Sequence, residues 1–186
     1  MTAVFSRKLT GLGEFSLIPL DPVVHAELVH SWVVQPRNRF WGMTDHTVDQ
    51  VREIYAFVAG LDSHHAYLML IDEQPIGIFQ TYQPEHDPVS ECYDVQGGDF
   101  GVHLMFSPGD RELPHLTSVV MPVLHEFAFL DPAVRRLIVE PDIRNEKAIT
   151  RMERQGFELG PTIDLGHKQA RLAFLTRPRW QSLHHA

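Results

Sequence analysis

Cysteine is almost absent: Cys92 stands alone among 186 residues, so no internal disulfide can form and the core must hold by packing. No apolar run approaches the ~20 residues that a membrane span requires. The start of the chain lacks a basic segment followed by an apolar one, which gives no sign of a signal peptide and makes a cytoplasmic protein the expectation. Positive charge is scarce as well, with 16 Lys and Arg against 24 Asp and Glu and a net charge of −8. Neutralising phosphates takes a clustered excess of bases, so a nucleic-acid partner is excluded. Twelve histidines are present, yet no H-E-x-x-H pair and no Cys/His quartet is among them, and no metal cofactor is expected. Internal repeats and low-complexity segments are also missing. The length suits one domain spanning 1–186 with a core of useful size.

What is there is organised around GDFGVHLMF, residues 98–106, which reads as a buried central strand. Alternation puts Phe100, Val102, Leu104 and Phe106 on one face, where they can anchor a core. Asp99, Gly101, His103 and Met105 fall on the other. His103 then stands between one very small and one soft neighbour, with room for a ligand to approach. The plainer alternative is a core histidine satisfied by a backbone partner.

Around that strand the punctuation is clear. Residues 1–13 read as a loose lead-in and 15–20 as a first strand, ended by the cap-and-proline pair Asp21-Pro22. Val24, Leu28 and Trp32 then recur at four-residue spacing on a helix that must stop before Pro36. PRNRFWGM, residues 36–43, reads as a loop with two bases and two adjacent aromatics. Thr47 and Gln50 form a capping box for a helix ending at Gly60. Residues 66–71 and 76–83 make a hairpin, and 84–97 a long loop. Beyond the central strand, Leu116, Val120, Val123, Phe127 and Leu130 share one helical face, with Pro122 predicting a kink or a late start. A strand over 135–140 leads to Pro141 and Asp142, a helix from about Ile143 to Gly156, and two closing strands, 157–165 and 170–176.

That order resembles the GNAT acyltransferase superfamily. The resemblance implies an α/β (α+β) fold with a mixed central sheet of about seven strands, flanked by about four helices. It also implies a splay between two parallel strands, into which the family lays the arm of acyl-CoA. WVVQPRNRFWGM, GDFGVHLMFSP and EPDIRNEKAITRMERQGF together are similar to the branch that acylates hydroxylamines in hydroxamate siderophore biosynthesis, the route to aerobactin, mycobactin and the desferrioxamines. The likeness extends over about residues 15–180, and the PHLTS form of one loop is closest to the desferrioxamine group.

Carried onto this chain, the resemblance implies a catalytic pair, His103 and Asp142. The carboxylate would orient the imidazole, raise its pKa, or recognise the cationic end of a diamine, while the plain alternative for Asp142 is a helix cap. Acyl-CoA contacts fall on Leu104, Met105, Phe106, Arg111, His115, Thr117, Ser118 and Asn145. Arg37, Phe40, Trp41 and Met43 match the acceptor block. The expected reaction joins an acetyl or succinyl group from its CoA thioester to N-hydroxycadaverine, N-hydroxyputrescine or N6-hydroxylysine, with small molecules as the partners. The phosphate loop departs from the superfamily: SPGDRELPHLTS holds one glycine where a run of bare N–H donors is usual. Transfer to an ordinary amine and a non-catalytic acyl-CoA-binding module are the competing expectations.

Overall fold

The computed structural model describes residues 2–107 and 116–184. Eight strands among them follow the order β1-β2-β3-β4-β5-β6-β8-β7. The chain divides into two compact units, Met1–Thr81 with His103–Leu116, and Tyr82–Val102 with Thr117–Ala186. The central strand β5 (Asp99–Phe106) contributes to both.

In the first unit, β1 (Phe5–Leu9) and β2 (Gly13–Pro19) pair antiparallel, and β2 pairs with β3 (His64–Ile71). The lead-in expected to be loose is therefore an edge strand. FSRKL buries only Leu9, so it carries no alternation by which a strand is read. Helix α1 (Pro22–Val33) is capped by Asp21, whose carboxylate accepts from the Val23 and Val24 N–H groups. Its buried face is His25, Ala26, Val29, Trp32 and Val33, with Leu28 packed against the core; of the expected stripe only Val24, 65% exposed, lies outside. His25 can turn inward because its Nδ1 accepts the Asp21 N–H at 2.9 Å, and burial lowers its pKa. Helix α2 (Val48–Ala59) has the expected capping box of Thr47 and Gln50. Trp32, Tyr55, Leu68, Ile78 and Met105 lie in one core cluster with these helices. Strand β4 (Gln74–Tyr82) completes the expected hairpin. Gly77 on it is required by close approach, since a Cβ there would meet the Met105 carbonyl oxygen at 2.2 Å.

In the second unit, β5 and β6 (Arg136–Val139) are parallel, with Asp99 opposite Arg136, Phe100 opposite Leu137 and Gly101 opposite Ile138. Strand β8 (Gln169–Thr176) pairs antiparallel with both β6 and β7 (Glu158–Asp164), the latter through an irregular register between Leu159 and Thr162. Helix α3 (Leu116–Ala128) runs through Pro122 without a late start. Pro122 has no N–H to offer the Ser118 carbonyl, and Ser118 lies on the exposed side of the helix. The helix ends before Leu130, which is exposed. The loop at 84–97 contains two short 3₁₀ turns and buries Val89. Helix α5 (Arg177–His184) was not foreseen from the sequence. Arg177 holds its start by donating to the carbonyls of Phe129, Asp131 and Val134, contacts between residues more than 40 apart.

The alternation on β5 needs two corrections. Met105 belongs to the core, and the room beside Gly101 is filled by the Tyr82 ring, 2.0 Å from where a Cβ would stand. Gly101 thus admits a buried aromatic, not a ligand. Gly101→Ala is expected to destabilise the protein by about 1–3 kcal/mol through overpacking, read as a lower urea midpoint. An unchanged midpoint would show that the ring has space to retreat.

Candidate active site

Two neighbourhoods hold the residues singled out from the sequence, one in each unit. In the first, Pro36–Trp41 replaces the expected loop with two short 3₁₀ turns that meet at a kink at Asn38, and ends at Gly42. It brings Trp41 to His103 in a T-shaped contact, with ring centroids 6.4 Å apart and planes at 80°. Trp41 is fixed from behind, because its Nε1 donates to the Tyr55 hydroxyl at 3.2 Å. Burial pushes that hydroxyl's pKa up, which keeps it protonated. Trp41 and Met43 are partly buried against the core cluster. The Arg39 guanidinium lies 4.4 Å from the centre of the Phe40 ring, while Arg37 is exposed. The aromatic block and the central-strand histidine, some sixty residues apart in the chain, are therefore brought into ring contact, with Arg37 outside that contact. Leu104 and Phe106 are half-buried on the same stretch of β5.

In the second unit, Asp142 is buried and bridges to Ala170 of β8. Its carboxylate accepts from Arg144 three times, from Nε at 2.9 Å, Nη2 at 2.6 Å and the backbone N–H at 2.8 Å. Hydrogen bonding to the Arg144 side chain is the chief cause that holds its pKa at about 2. Asp142 is not the helix cap. That place belongs to Asn145, whose side chain accepts from the Ala148 N–H at 3.3 Å at the start of α4 (Glu146–Arg154). The sequence could not separate these two because both are good caps three residues apart. Thr117 is half-buried and Ser118 exposed in the first turn of α3. Arg111 and His115 lie outside the described residues.

Because the Asp142 pKa is depressed below the ordinary 3.8, its carboxylate stabilises the fold fully at neutral pH, and that contribution is lost as pH falls through about 2. The urea midpoints of the wild type and Asp142→Asn are expected to differ most above pH 4 and to converge towards pH 2. A gap that stays constant would mean the Arg144 contact does not govern the titration.

Sequence reasoning missed Arg144 and Lys168, which flank Asp142 and Glu140. Lys168 Nζ donates to the Glu140 carbonyl at 3.0 Å and lies 3.8 Å from its carboxylate, and Tyr82 donates its hydroxyl to the same carboxylate at 3.0 Å. The only signal would have been charge spacing within EPDIRN and the final turn. Among the described residues, no cluster of His, Cys, Asp and Glu could hold a metal ion, and no helix is long and apolar enough to cross a membrane.

The domain is α/β, with a mixed sheet whose parallel β5–β6 ladder stops at Gly101 while β5 itself runs on to Phe106. The acetyltransferase (GNAT) domain matches residues 21–165, and the chain belongs to that family. Relatives include an N(6)-hydroxylysine O-acetyltransferase of Escherichia coli, 26% identical over 161 residues, covering 84% of this chain and 50% of that protein. Another is the hydroxyornithine transacylase SID3 of Ajellomyces capsulatus, 26% identical over 95% of this chain and 41% of that protein. An N-hydroxyputrescine acetyltransferase of Acinetobacter baumannii is 27% identical over 64% of this chain and 57% of that protein. The chain spans about half the length of the curated relatives it matches. In fold it is similar to the aminoglycoside acetyltransferase AAC(6')-Ib in complex with ribostamycin and coenzyme A, with a TM-score of 0.80, 22% identity and coverage of 91% and 97% of the two chains. It is also similar to an uncharacterized protein of Bacillus halodurans, with a TM-score of 0.87, 16% identity and coverage of 97% and 95%.

Proposed function

We propose that this chain transfers an acyl group from acyl-CoA to the nitrogen of a small hydroxylamine, making a hydroxamate. The supporting observation is the ring contact between Trp41 and His103, which gives the central-strand histidine an aromatic wall beside it. The relatives named for hydroxylated lysine, ornithine and putrescine agree with this acceptor class.

The chemistry asks little of the protein. A hydroxylamine nitrogen carries a lone pair at neutral pH and attacks the thioester carbonyl. A C–N bond forms, the C–S bond breaks, CoA leaves as its thiol, and one proton must depart from the nitrogen. Imidazole is suited to taking that proton, and we assign the role to His103. Asp142 is a poor base with its pKa held near 2 by Arg144, so the proton transfer is not assigned to it. The oxyanion would be met by a backbone N–H of β5 beyond Gly101, where the parallel ladder has ended. Leu104, Met105 and Phe106 supply that backbone, and Thr117, Ser118 and Asn145 are the described candidates for the rest of CoA.

The test mixes acetyl-CoA or succinyl-CoA with hydroxylated and plain diamines and amino acids, and follows both thiol release and the colour of the ferric hydroxamate. Thiol and colour rising together support the reading. Thiol without colour means O-acylation, faster turnover of the plain amine means an ordinary amine acetyltransferase, and no thiol with any acceptor sinks the enzymatic assignment.

A further inference from the structure

The ring contact between Trp41 and His103 has a third member, Tyr55, and all three residues lie in the first unit. Tyr55 is 2% exposed, belongs to the core cluster and with Val51 makes up the buried face of α2. Its hydroxyl accepts the Trp41 indole N–H at 3.2 Å. The segment that carries Trp41 is tied to α1 by the Asn38 side chain, which donates to the Trp32 carbonyl at 2.9 Å. That tie fixes the backbone three residues before Trp41, not the turn of its ring.

The turn of the ring is what matters to the imidazole. An indole has a single polar atom, the Nε1–H, which only donates. The ring torsion of a tryptophan has two broad wells about half a turn apart, so rotamer preference alone does not choose the edge on which that N–H lies. The Tyr55 hydroxyl chooses it. With Nε1–H engaged by Tyr55, the indole offers His103 carbon and π surface and no donor. A neutral imidazole has one nitrogen that accepts, and a base needs that lone pair open to the substrate's proton. An indole N–H turned onto it would occupy it.

We propose that Tyr55 is a positioning residue for His103: by holding the Trp41 N–H, it keeps the indole's one donor off the imidazole and fixes the wall against which that ring stands. This role rests on the reading of His103 as the base, and Tyr55 exerts it through Trp41 without touching the reacting atoms. Nothing in the sequence marks Tyr55, because a tyrosine four residues after Val51 on an amphipathic helix reads as ordinary core.

Tyr55→Phe removes one oxygen and keeps the ring, and its thermal midpoint shows that it is folded. It is expected to lower kcat by about three- to tenfold, the scale of one neutral hydrogen bond, with KM for acyl-CoA little changed. The Trp41→Phe variant has no N–H to misdirect, so adding Tyr55→Phe to it is expected to leave its kcat where it was. A purely structural tyrosine would move the midpoint and not kcat. Nuclear magnetic resonance reads the arrangement without turnover. Of the indole N–H signals of the three tryptophans, that of Trp41 is the one absent from Trp41→Phe, and the His103 ring signal is the one absent from His103→Gln. Both are expected to shift in Tyr55→Phe. If no acceptor releases thiol, the proposed function fails, and these two signals still decide whether Tyr55 sets the pair. Signals unmoved in Tyr55→Phe, an unchanged kcat, or a loss of kcat equal with and without Trp41→Phe would overturn the proposal.

Discussion

His103→Ala lowers kcat/KM for hydroxamate formation by about 10²- to 10⁴-fold, the range that general-base catalysis commonly contributes. The expected loss falls on kcat, since the imidazole is assigned to removing a proton and not to holding acyl-CoA. Trp41 gives the control. Its ring makes a T-shaped contact with the His103 ring, so an alanine at 103 also removes packing. His103→Gln keeps most of the bulk and cannot accept a proton at neutral pH. It should be nearly as inactive as the alanine variant and closer to wild type in thermal midpoint. If glutamine retained most of the rate, His103 would be a positioning residue and the base would have to be sought elsewhere.

Asp99→Ala is expected to cost about 3–5 kcal/mol of stability, the largest structural effect of any single substitution considered. Asp99 sits on the first rung of the parallel ladder, opposite Arg136. Its side chain is 1% exposed and accepts Arg136 Nε and Nη2, both at 2.7 Å, with the Tyr93 hydroxyl and the Gln96 N–H each at 3.0 Å. Arg136 in turn lies over the Phe174 ring at 4.5 Å, so its alkyl stem and guanidinium are packed as well as paired. Removing the carboxylate leaves a cation 17% exposed without its fork partner and strands two further donors. Urea unfolding measures the loss. The double variant Asp99→Leu with Arg136→Met should recover part of it, because a buried ion pair replaced whole is far cheaper than one broken. A loss under about 1 kcal/mol for Asp99→Ala would mean that water readily replaces the carboxylate.

Local signals that rest on neighbours in sequence were legible. The Thr47–Gln50 box, the Asp21-Pro22 start, the glycine that closes α4 and the β3–β4 hairpin all depend on residues within a few positions of each other. Elements without an apolar period of their own were not. FSRKL buries only Leu9 and becomes a strand by pairing with β2 across a short turn, and α5 is tied down by Arg177 reaching carbonyls more than 40 residues away. On α1 only the first position of the expected stripe was misread, Val24 being exposed and His25 buried, because a histidine, polar on any scale, is buried once its ring nitrogen is satisfied.

The residue pattern alone determined the succession of strands and helices apart from β1 and α5, the family likeness and the placing of His103 on the central strand, since periodicity and motif order are properties of the chain itself. Tertiary structure decided what each side chain meets: Tyr82 in the niche beside Gly101, Trp41 against His103, Arg144 on Asp142 and Lys168 on Glu140. Those partners lie two to about sixty residues away, and whether a carboxylate is a base, a cap or half of an ion pair depends on which donors the fold brings within 3 Å of it.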